Sequence, residues 1–528
     1  ALLVRAGWIQ VYAADEVMAA AALTRQGDGQ RRYSYNPRLL EAAQAIVRGA
    51  ITDRGGVPLA TSRPDDLAAH ATAFARLGLN VPAACVAAQS RCYPLGGAAF
   101  HLLGDATTQV NWAASNTSFV ERDRDTRLRG YDDQAQLVEV VDPHDGSRSR
   151  VLRRNLAVLL PLWKHRDDPD HPDVRALLDV PRDVRLSVDA RLQWRVATLV
   201  RDRIAAARLR RGAAVVVDAV TGEVLAATSV PWPAAPSSSS APLSSEALTD
   251  ALLDRARYGV YPPGSTFKLV TAAAALRSRP ALASEPLVCR RLDDGRVGNV
   301  VAGWRRPVRD DVAVMQPHGN VTLDRGLIQS CNAYFAQLGA RLGARALQET
   351  AAAFDIALTS AGDAARLRDT LPFAAYGQGD VLATPLRMAR VAAAIAAEGR
   401  LAPVRLVIDG GAAGELAAAR VLDAGDARRL GDAMRQVVVA GTARGLVGST
   451  VPVAGKTGTA EVDKAASHSW FVGFAPHGET AGRRIAFAVI VENGGYGGRV
   501  AAPIAGEIVS VARELGLIGS SAGAGGAA

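Results

Sequence analysis

The segment YPPGSTFKLVTA occupies residues 261–272 and is the most informative stretch of this 528-residue chain. Gly264 ends the segment that leads into the predicted helix, and Ser265 begins an apolar run with helical periodicity. A helix would place Ser265 and Lys268, three positions apart, on one face within hydrogen-bonding reach. A serine hydroxyl becomes a good nucleophile when a base takes its proton, and a desolvated lysine can be that base. The segment therefore predicts a nucleophilic serine at a helix N-terminus, where free N–H groups can stabilise an oxyanion.

Lysine is rare in this chain, which strengthens the interpretation of Lys268. Of the 61 basic residues only four are lysine, at positions 164, 268, 456 and 464. Arginine cannot lose its proton in a protein, whereas a desolvated lysine can be neutral near pH 7. We therefore expect lysine to be retained where an amine acts as a base. An N-cap serine beside a solvated lysine is the structural alternative.

The triplet Ser330-Cys331-Asn332 is a second and weaker signal. It follows the helix-like segment LDRGLIQ, but Ser-x-Asn also occurs at residues 34–36, where a turn is the simpler interpretation. Combined with the Ser265–Lys268 pair, the triplet favours a catalytic role, because Ser330 could relay a proton between Lys268 and a leaving amine. Asn332 could hold the amide of a substrate. Considered alone, the triplet favours a helix cap or a loop.

The third signal is Lys456-Thr457-Gly458-Thr459. The segments VPVAG before it and AEV after it predict a strand end or an edge strand. Lysine and threonine side chains there could hold a substrate carboxylate, and Gly458 would leave room for a peptide against the strand. A phosphate-binding loop is excluded, because that motif requires glycine at position 450 and the chain has Thr450.

The bulk composition predicts at least two domains but no particular function. A chain of 528 residues is long enough for two or three cores. A net charge of +9 and a pI near 9.7 could indicate a polyanion partner. However, basic and acidic residues alternate, as in RDRDTRLR at 122–129, and no basic block marks a nucleic-acid-binding arm. We expect a mixed, solvated surface and no nucleic-acid partner.

The four cysteines are too few for a disulfide scaffold, and none forms a C-x-x-C pair. Buried free thiols are the expected state of all four, with a bridge between Cys85 and Cys92 as the alternative if the protein is exported. No metal site is predicted.

Residues 1–182 form a mixed N-terminal region. Within the segment 48–62, ITD and VPLA flank an Arg-Gly-Gly turn and predict a hairpin, whereas the Asp- and Pro-rich residues 166–182 suit a connector. The apolar start at 1–14 is too short to cross a bilayer. It is expected to be either the remnant of a membrane anchor or an amphipathic first helix.

Residues 183–518 show a more regular pattern, and residues 519–528 (GSSAGAGGAA) are expected to be a disordered tail. A helix-rich middle is enclosed by strand patterns from both ends, which indicates an α+β or α/β sandwich whose sheet joins distant parts of the chain. The patterns predict a hairpin at 213–229, helices within 265–280, 324–354 and 384–399, and strands at 469–475 and 485–492.

Together, the three motifs resemble the active-site signature of the penicillin-binding proteins. The similarity extends to YGQGDVLATPLRMARVAAAIA at 376–396 and SWFVGFAP at 469–476, and it covers roughly residues 183–515. NPR at 36–38, followed by RGAITDRGGVPLA, resembles the N-terminal pedestal of the monofunctional class B members. The departures are Asp254-Arg255 where the family commonly has Asn-Arg, and His468-Ser469 before Trp470.

The resemblance implies an α+β fold, with a pedestal followed by an antiparallel sheet between helices and an all-helical subdomain. It implies a peptidoglycan D,D-transpeptidase that needs no metal or organic cofactor. Ser265 would attack the penultimate carbonyl of a stem peptide ending in D-Ala-D-Ala, with Lys268 as the base. The N–H groups of Ser265 and Thr459 would form the oxyanion hole. The substrate carboxylate would be bound by Lys456, Thr457 and Thr459.

The resemblance also implies partners and a location. The expected partners are peptidoglycan stem peptides on lipid II-derived glycan, β-lactams that acylate Ser265, and a polytopic membrane glycosyltransferase of the shape, elongation, division and sporulation family. The expected location is the extracytoplasmic face of the cytoplasmic membrane, with an anchor that is mostly missing from this chain.

Three alternatives remain open on the sequence. A serine β-lactamase or β-lactam sensor shares the motifs but does not need a pedestal of this length. A D,D-carboxypeptidase or endopeptidase forms the same acyl-enzyme and uses water as the acceptor. A non-catalytic scaffold of a wall-synthesis complex would use the pedestal alone, and would have no reason to retain the rare lysines.

Overall fold

The computed structural model describes most of the chain. The predicted tail lies outside the described residues except for Gly519, and so does the apolar start except for Trp8, Ala13 and Ala14. The described residues are 8, 13–27, 29–81, 85, 91–142, 146–233, 245–358, 364–379, 381–408, 418–478 and 482–519.

Short helices and small groups of strands make up the N-terminal region. Its strands, together with β7 at the start of the next region, are β1 Ala22–Arg25, β2 Arg31–Ser34, β3 Ile51–Thr52, β4 Pro58–Ala60, β5 Gln136–Val141, β6 Arg148–Arg153 and β7 Val184–Arg185. Its helices are α1 Ala14–Ala19, α2 Pro37–Ala45, α3 Pro64–Ala69, α4 Ala71–Arg76, α5 Gly97–Leu103, α6 Val120–Asp123, α7 Asp125–Arg129, the 3-10 turn Ala157–Leu159, α8 Leu160–Lys164 and α9 Pro172–Leu178.

Longer elements make up the region from residue 183 onward. Its further strands are β8 Gly212–Asp218, β9 Val224–Val230, β10 Leu287–Arg291, β11 Val297–Asn299, β12 Val308–Arg309, β13 Gly319–Val321, β14 Arg400–Leu401, β15 Ala419–Arg420, β16 Ala454–Val462, β17 Ala465–Ala475 and β18 Ile485–Val491. Its helices are α10 Ala190–Ala206, α11 Ser245–Leu252, α12 Lys268–Ser278, α13 Pro280–Ser284, α14 Leu323–Ile328, α15 Asn332–Leu342, α16 Ala344–Ala353, α17 Ala364–Ala374, α18 Pro385–Ala396, α19 Ala424–Val439 and α20 Ala501–Glu514, with 3-10 turns at Gly264–Phe267 and Arg444–Leu446.

A five-stranded antiparallel sheet forms the centre of this region, in the order β16-β17-β18-β8-β9. Successive side chains of β8 point to opposite faces, so that Val215 belongs to one core cluster and Val216 to the other. Helix α18 covers one face, and helices α10 and α20 cover the other. All residues of β8, β9 and β18 are consequently buried.

The sheet joins strands from two distant parts of the chain, because β18 pairs with β8 over its whole length. This arrangement confirms the predicted α+β fold, the hairpin at 213–229 and the two predicted late strands. It also confirms that the Lys-Thr-Gly-Thr segment lies on an edge strand, since β16 is the first strand of the sheet.

The predicted helical subdomain is present, but it is not all helical. Between α12 and α18, five helices are accompanied by a four-stranded antiparallel sheet in the order β12-β11-β10-β13. These strands are only two to five residues long. Such short segments give too little alternation to be distinguished from loop sequence.

The N-terminal region shares its core with the region of the sheet. Ile51 and Leu59, from the confirmed hairpin β3–β4, belong to the same core cluster as Val215. Strand β3 also pairs in parallel with β7. Helix α5 packs against α10, where the Gln193 side chain donates to the carbonyl of Ala98 at 2.7 Å. The two regions are therefore packed together through apolar and polar contacts.

The expected state of the cysteines is wrong for one pair. Cys85 and Cys92 form a disulfide bond, whereas Cys289 and Cys331 are buried free thiols as predicted. Their Cα atoms are 5.1 Å apart, within the usual range for a disulfide, and the backbone of Cys92 pairs with Thr61 next to β4. A spacing of seven residues does not by itself reveal this fold-back.

Among the described segments, no helix combines the length and the apolar character needed to span a bilayer.

Candidate active site

Ser265 lies in the 3-10 turn Gly264–Phe267, and the α-helix begins at Lys268, three residues later than the simplest expectation. Gly264 has a φ of 53°, and a Cβ at this position would lie 2.9 Å from the carbonyl oxygen of Thr459. Glycine is required because the turn presses against β16. Ser265 is partly exposed at this contact, so its hydroxyl can meet a substrate.

Three further contacts hold this turn in place. Trp470 donates its Nε1–H to the carbonyl of Pro262 at 3.0 Å. The N–H of Gly264 donates to the carbonyl of Gly377 at 2.9 Å. A Cβ at Gly458 would lie 2.9 Å from the carbonyl oxygen of Pro263. The sequence predicted that Gly458 leaves room for a peptide, but in the structure the chain's own turn fills this space.

Lys268 is fully buried, and its amine is hydrogen-bonded to the Ser330-Cys331-Asn332 turn. Nζ donates to the carbonyl of Ser330 at 2.6 Å, to Ser330 Oγ at 3.2 Å and to Asn332 Oδ1 at 2.7 Å. None of the hydrogen bonds of Lys268 goes to Ser265 Oγ, the contact expected from the sequence. The three donors of the ammonium are already satisfied, and such contacts often tighten only when substrate is bound.

Lys456 donates to the same hydroxyl from strand β16. It is fully buried in β16, and its Nζ donates to Ser330 Oγ at 2.9 Å and to the carbonyl of Thr457 at 3.0 Å. Ser330 Oγ therefore lies between two lysine amines. The sequence predicts a relay from Lys268 through Ser330 and a carboxylate-binding role for Lys456, but it does not predict the contact between Lys456 and Ser330.

The surroundings lower the basicity of both lysines. Burial lowers the pKa of Lys268 to about 8, an effect that the carboxylate of Asp310 partly opposes. Burial, with a smaller contribution from the charge of Lys268, lowers the pKa of Lys456 well below its usual range. A buried amine whose pKa lies near neutrality can take up a proton and release it again within one reaction.

The Ser330-Cys331-Asn332 turn connects α14 and α15 and has an uncommon backbone. Ser330 has a φ of 57°, in the left-handed region. The N–H of Asn332 donates to Asp310 Oδ1, and its side-chain amide donates to the carbonyl of Arg309 at 3.1 Å. Asp310 therefore holds the turn through the backbone N–H of Asn332. Sequence reasoning missed Asp310, because it belongs to no motif and approaches the turn only through the fold.

Strand β16 presents the third motif beside the turn Gly264–Phe267, which we call the nucleophile turn because it holds Ser265. Thr457 hydrogen-bonds to Thr442 through its hydroxyl, and Thr459 is partly exposed. The backbone of Thr459 lies against Gly264 and pairs with Ser469 of β17. All eight predicted site residues thus lie around two turns and one edge strand, and four of them form a single hydrogen-bonded group. The members of this group are Lys268, Ser330, Asn332 and Lys456.

The fold and the site together define a serine acyl-transferase. Residues 212–510 match the family model described as the penicillin-binding protein transpeptidase domain. The chain belongs to this family, and within it to the monofunctional class B proteins, as the sequence predicted.

Curated relatives support this assignment. The peptidoglycan D,D-transpeptidase PbpA of Mycolicibacterium smegmatis is 30% identical over 359 residues, covering 58% of this chain and 68% of the relative. The peptidoglycan D,D-transpeptidase MrdA of Acinetobacter baumannii is 28% identical over 349 residues, covering 55% of this chain and 49% of that protein.

Solved structures show the same fold over both regions of the chain. The penicillin G acyl-enzyme complex of penicillin-binding protein A from M. tuberculosis aligns with a TM-score of 0.62 at 24% identity, covering 88% of this chain and 99% of that one. Pseudomonas aeruginosa PBP2 in complex with WCK 5153 aligns with a TM-score of 0.60 at 25% identity, covering 88% and 95%.

Proposed function

We propose that this protein is a peptidoglycan D,D-transpeptidase that cross-links stem peptides through an acyl-enzyme on Ser265. One observation carries the proposal: two fully buried lysines share the hydroxyl of Ser330 beside Ser265, a partly exposed serine in the turn that lies against the edge strand β16. The PbpA and MrdA relatives, which are named peptidoglycan D,D-transpeptidases, support the same reaction.

In the acylation step, Ser265 Oγ attacks the penultimate carbonyl of a stem peptide ending in D-Ala-D-Ala. Neutral Lys268 takes the hydroxyl proton, and the N–H groups of Ser265 and Thr459 stabilise the oxyanion. The C–N bond to the terminal D-Ala then breaks. The proton reaches the leaving amine through Ser330, whose hydroxyl lies 3.2 Å from Lys268 Nζ.

In the second step, the amine of a neighbouring stem peptide attacks the ester of Ser265. Its proton returns along the same path, and the serine hydroxyl is restored. During the first step, before the terminal D-Ala leaves, Asn332 holds the donor amide, while Lys456, Thr457 and Thr459 bind the terminal carboxylate. The contact between Lys456 and Ser330 Oγ at 2.9 Å also lets carboxylate binding adjust the relay. Gly458 contributes by admitting the nucleophile turn against β16.

Intact-protein mass spectrometry after incubation with benzylpenicillin tests the acyl-enzyme. We expect a persistent adduct on the parent and on Ser34→Ala, which alters the unrelated Ser-x-Asn segment, but not on Ser265→Ala. Rapid release of hydrolysed drug would instead indicate a β-lactamase. The absence of both adduct and hydrolysed drug would support the scaffold alternative.

The acceptor is tested separately with a synthetic D-Ala-D-Ala peptide and an amine acceptor. We expect the cross-linked product to exceed the hydrolysed peptide at saturating amine. Hydrolysis alone, unaffected by amine concentration, would identify a D,D-carboxypeptidase.

The proposed domain division is a pedestal at 1–182 and a transpeptidase domain at 183–518. We further propose that the protein acts at the extracytoplasmic face of the cytoplasmic membrane, where its pedestal docks a polytopic membrane glycosyltransferase. The hairpin β5–β6 supports this docking, because three of its apolar side chains are exposed on one face. They are Leu137, Val141 and Leu152, with exposed fractions of 64%, 52% and 42%.

Co-purification from membranes tests the docking surface. We expect Leu137→Asp to lose the glycosyltransferase, whereas Val447→Asp, at a similarly exposed position outside the pedestal, should retain it. Equal recovery with both variants would contradict docking through the hairpin.

A further inference from the structure

A group of four potential metal ligands lies directly behind the Ser330-Cys331-Asn332 turn. Their donor atoms all lie within 4.8 Å of one another, and three of the four residues are buried. They come from β10, from the loop after β12, from the loop before β13 and from the centre of the turn itself. We call this group the thiol cluster: Cys289, Asp310, His318 and Cys331.

The four side chains converge on Asp310 Oδ2. This oxygen lies 3.2 Å from Cys289 Sγ, 3.3 Å from Cys331 Sγ and 3.3 Å from His318 Nδ1. Cys289 Sγ also lies 3.5 Å from His318 Nδ1 and is hydrogen-bonded to the Cys331 thiol. The four donor atoms are therefore close enough to one another to ligate a single ion.

Hydrogen bonding alone does not account well for this arrangement. A carboxylate oxygen has two lone pairs, yet three potential donors face Asp310 Oδ2. Its other oxygen, Oδ1, is already used by the N–H groups of Asn332 and Ala333. A cation at the centre would resolve this excess, because both sulfurs, the imidazole nitrogen and the carboxylate oxygen would then all act as electron-pair donors.

The donor types identify the class of cation. Thiolate and imidazole are ligands of zinc and related transition metals, whereas calcium and magnesium prefer oxygen alone. Two sulfurs, one nitrogen and one oxygen complete a four-coordinate zinc shell, which is typical of structural sites. On binding, both thiols would release their protons to solvent and coordinate as thiolates.

We propose that the thiol cluster binds one zinc ion, which holds the Ser330-Cys331-Asn332 turn in its working conformation.

The second half of the proposal follows from the position of two ligands. Cys331 is the middle residue of the turn, and Asp310 accepts from the backbone N–H of Asn332. A metal bound to both would fix Ser330 and Asn332 relative to Lys268. The metal site stands on the geometry of the cluster, whereas its effect on acylation rests on the proposed function.

The chain offers a matched control in a second group of potential ligands. His165, His171 and Asp173 also lie close together, but they are partly or fully exposed and provide no sulfur. The rings of the two histidines stack at 3.4 Å. A variant in this group should therefore leave a buried zinc ion unaffected.

Metal analysis of the full-length, untagged protein tests the site. After incubation with Zn²⁺ and removal of free metal, elemental analysis should find about one zinc per parent chain. Cys289→Ser and His318→Gln should lose it, and His165→Gln should retain it. Absence of zinc from the parent would overturn the site. So would zinc that persists in Cys289→Ser and His318→Gln, or a disulfide between Cys289 and Cys331 in non-reducing peptide maps.

Cobalt replacement gives a readout that does not depend on activity. Co²⁺ bound to thiolates absorbs in the near-ultraviolet, so the parent should show a sulfur-to-cobalt band that Cys289→Ser reduces or abolishes. A cobalt spectrum without that band would contradict the thiol ligands.

Labelling with fluorescent penicillin tests the effect on the turn. We expect chelation to slow acylation by about tenfold or more and Zn²⁺ to restore it. Equal rates with and without bound zinc would overturn the positioning role and leave the site intact. Failure of the zinc-loaded parent to acylate would count against the proposed function, not against the metal site.

Discussion

Two lysine amines share one serine hydroxyl at the candidate site. Lys268 Nζ lies 3.2 Å from Ser330 Oγ, and Lys456 Nζ lies 2.9 Å from it. Both amines are fully buried, which penalises the charged form of each. The hydroxyl can accept a proton from either amine and donate to the other when that one is neutral. A proton can therefore cross the site without passing through solvent.

The first prediction concerns the basicity of Lys268. Lys268→Arg keeps a cation at the site but removes a group that can lose its proton. We expect the rate constant for acylation by benzylpenicillin to fall by about 10²- to 10⁴-fold, the usual contribution of a general base. Stopped-flow or quenched mass spectrometry measures it. Lys464→Arg, at an exposed turn, is the control and should react like the parent. Unchanged acylation in Lys268→Arg would exclude Lys268 as the base.

The pH dependence of acylation provides the second prediction. Burial lowers the pKa of Lys268 to about 8. A base acts only in its neutral form, so the second-order rate constant should rise with pH through this value and then level off. The rise is measured on free enzyme at low drug concentration, where the profile reports the pKa of the unliganded site. A profile that is flat between about pH 6 and pH 10 would contradict this assignment.

The residues of the site differ in how far the sequence could predict them. Ser265 and Lys268 are only three positions apart in the chain, and the scarcity of lysine singled out Lys268 and Lys456. The contact between Lys456 and Ser330 depends on how β16 meets the turn after α14, which no local pattern contains. Asp310 could not be predicted either, because its hydrogen bond with the N–H of Asn332 joins two segments that only tertiary packing brings together.

The nucleophile turn and strand β16 touch without any intervening side chain. Glycine occupies both sides of this contact, at Gly264 and Gly458, and a Cβ on either would come within 2.9 Å of the opposite backbone. The distance between Ser265 and the backbone of Thr459 is therefore set by direct contact of main chains. This contact positions the two N–H groups proposed for the oxyanion hole.

The third prediction tests this contact with Gly458→Ala. The added methyl would lie 2.9 Å from the carbonyl oxygen of Pro263 and 3.0 Å from Trp470 Cβ. We expect it to displace the turn, slow acylation and destabilise the protein by about 1–3 kcal/mol. Gly425→Ala is the control, because a Cβ there meets nothing within 4 Å and the position is helical. If the melting temperature and the acylation rate equal those of the parent, the turn and the strand can move apart at little cost, and the prediction is wrong.

Among the strands, the length of the hydrophobic pattern separates those that the sequence predicts from those that it does not. The hairpin β8–β9 and strands β17 and β18 are seven to eleven residues long and carry long apolar runs, so they were predictable. Strands β10 to β13 are at most five residues long, and helix α15 packs against three of them, β10, β11 and β12. The all-helical subdomain that the resemblance implies therefore omits these four strands.

The N-terminal region and the region of the main sheet share one hydrophobic core. The core cluster that contains Ile51 and Leu59 also contains the inner side chains of the main sheet. Asp53 accepts from the N–H of Ala190 at 2.9 Å, and Trp194 donates to the carbonyl of Leu77 at 3.1 Å. A cut at residue 183 would pass through these contacts and expose an apolar face.

The fourth prediction follows from this shared core. A variant comprising residues 183–528 should be poorly soluble or should unfold without a sharp transition, because its buried contacts with the pedestal are lost. Differential scanning calorimetry and binding of a hydrophobic dye, with the full chain as the reference, measure the effect. A soluble fragment that melts cooperatively at the temperature of the full chain would show that the regions fold independently.

The pairing of β18 with β8 also determines when the site can first exist. A ribosome delivers β8, β9, Ser265 and Lys268 well before it delivers β16, β17 and β18. Until the late strands dock, the nucleophile turn has no backbone to rest against and Ser330 has only one of its two amines. A nascent or truncated chain that lacks residues 454–491 therefore carries a serine without catalytic power. Activity appears only when synthesis of the domain is nearly complete.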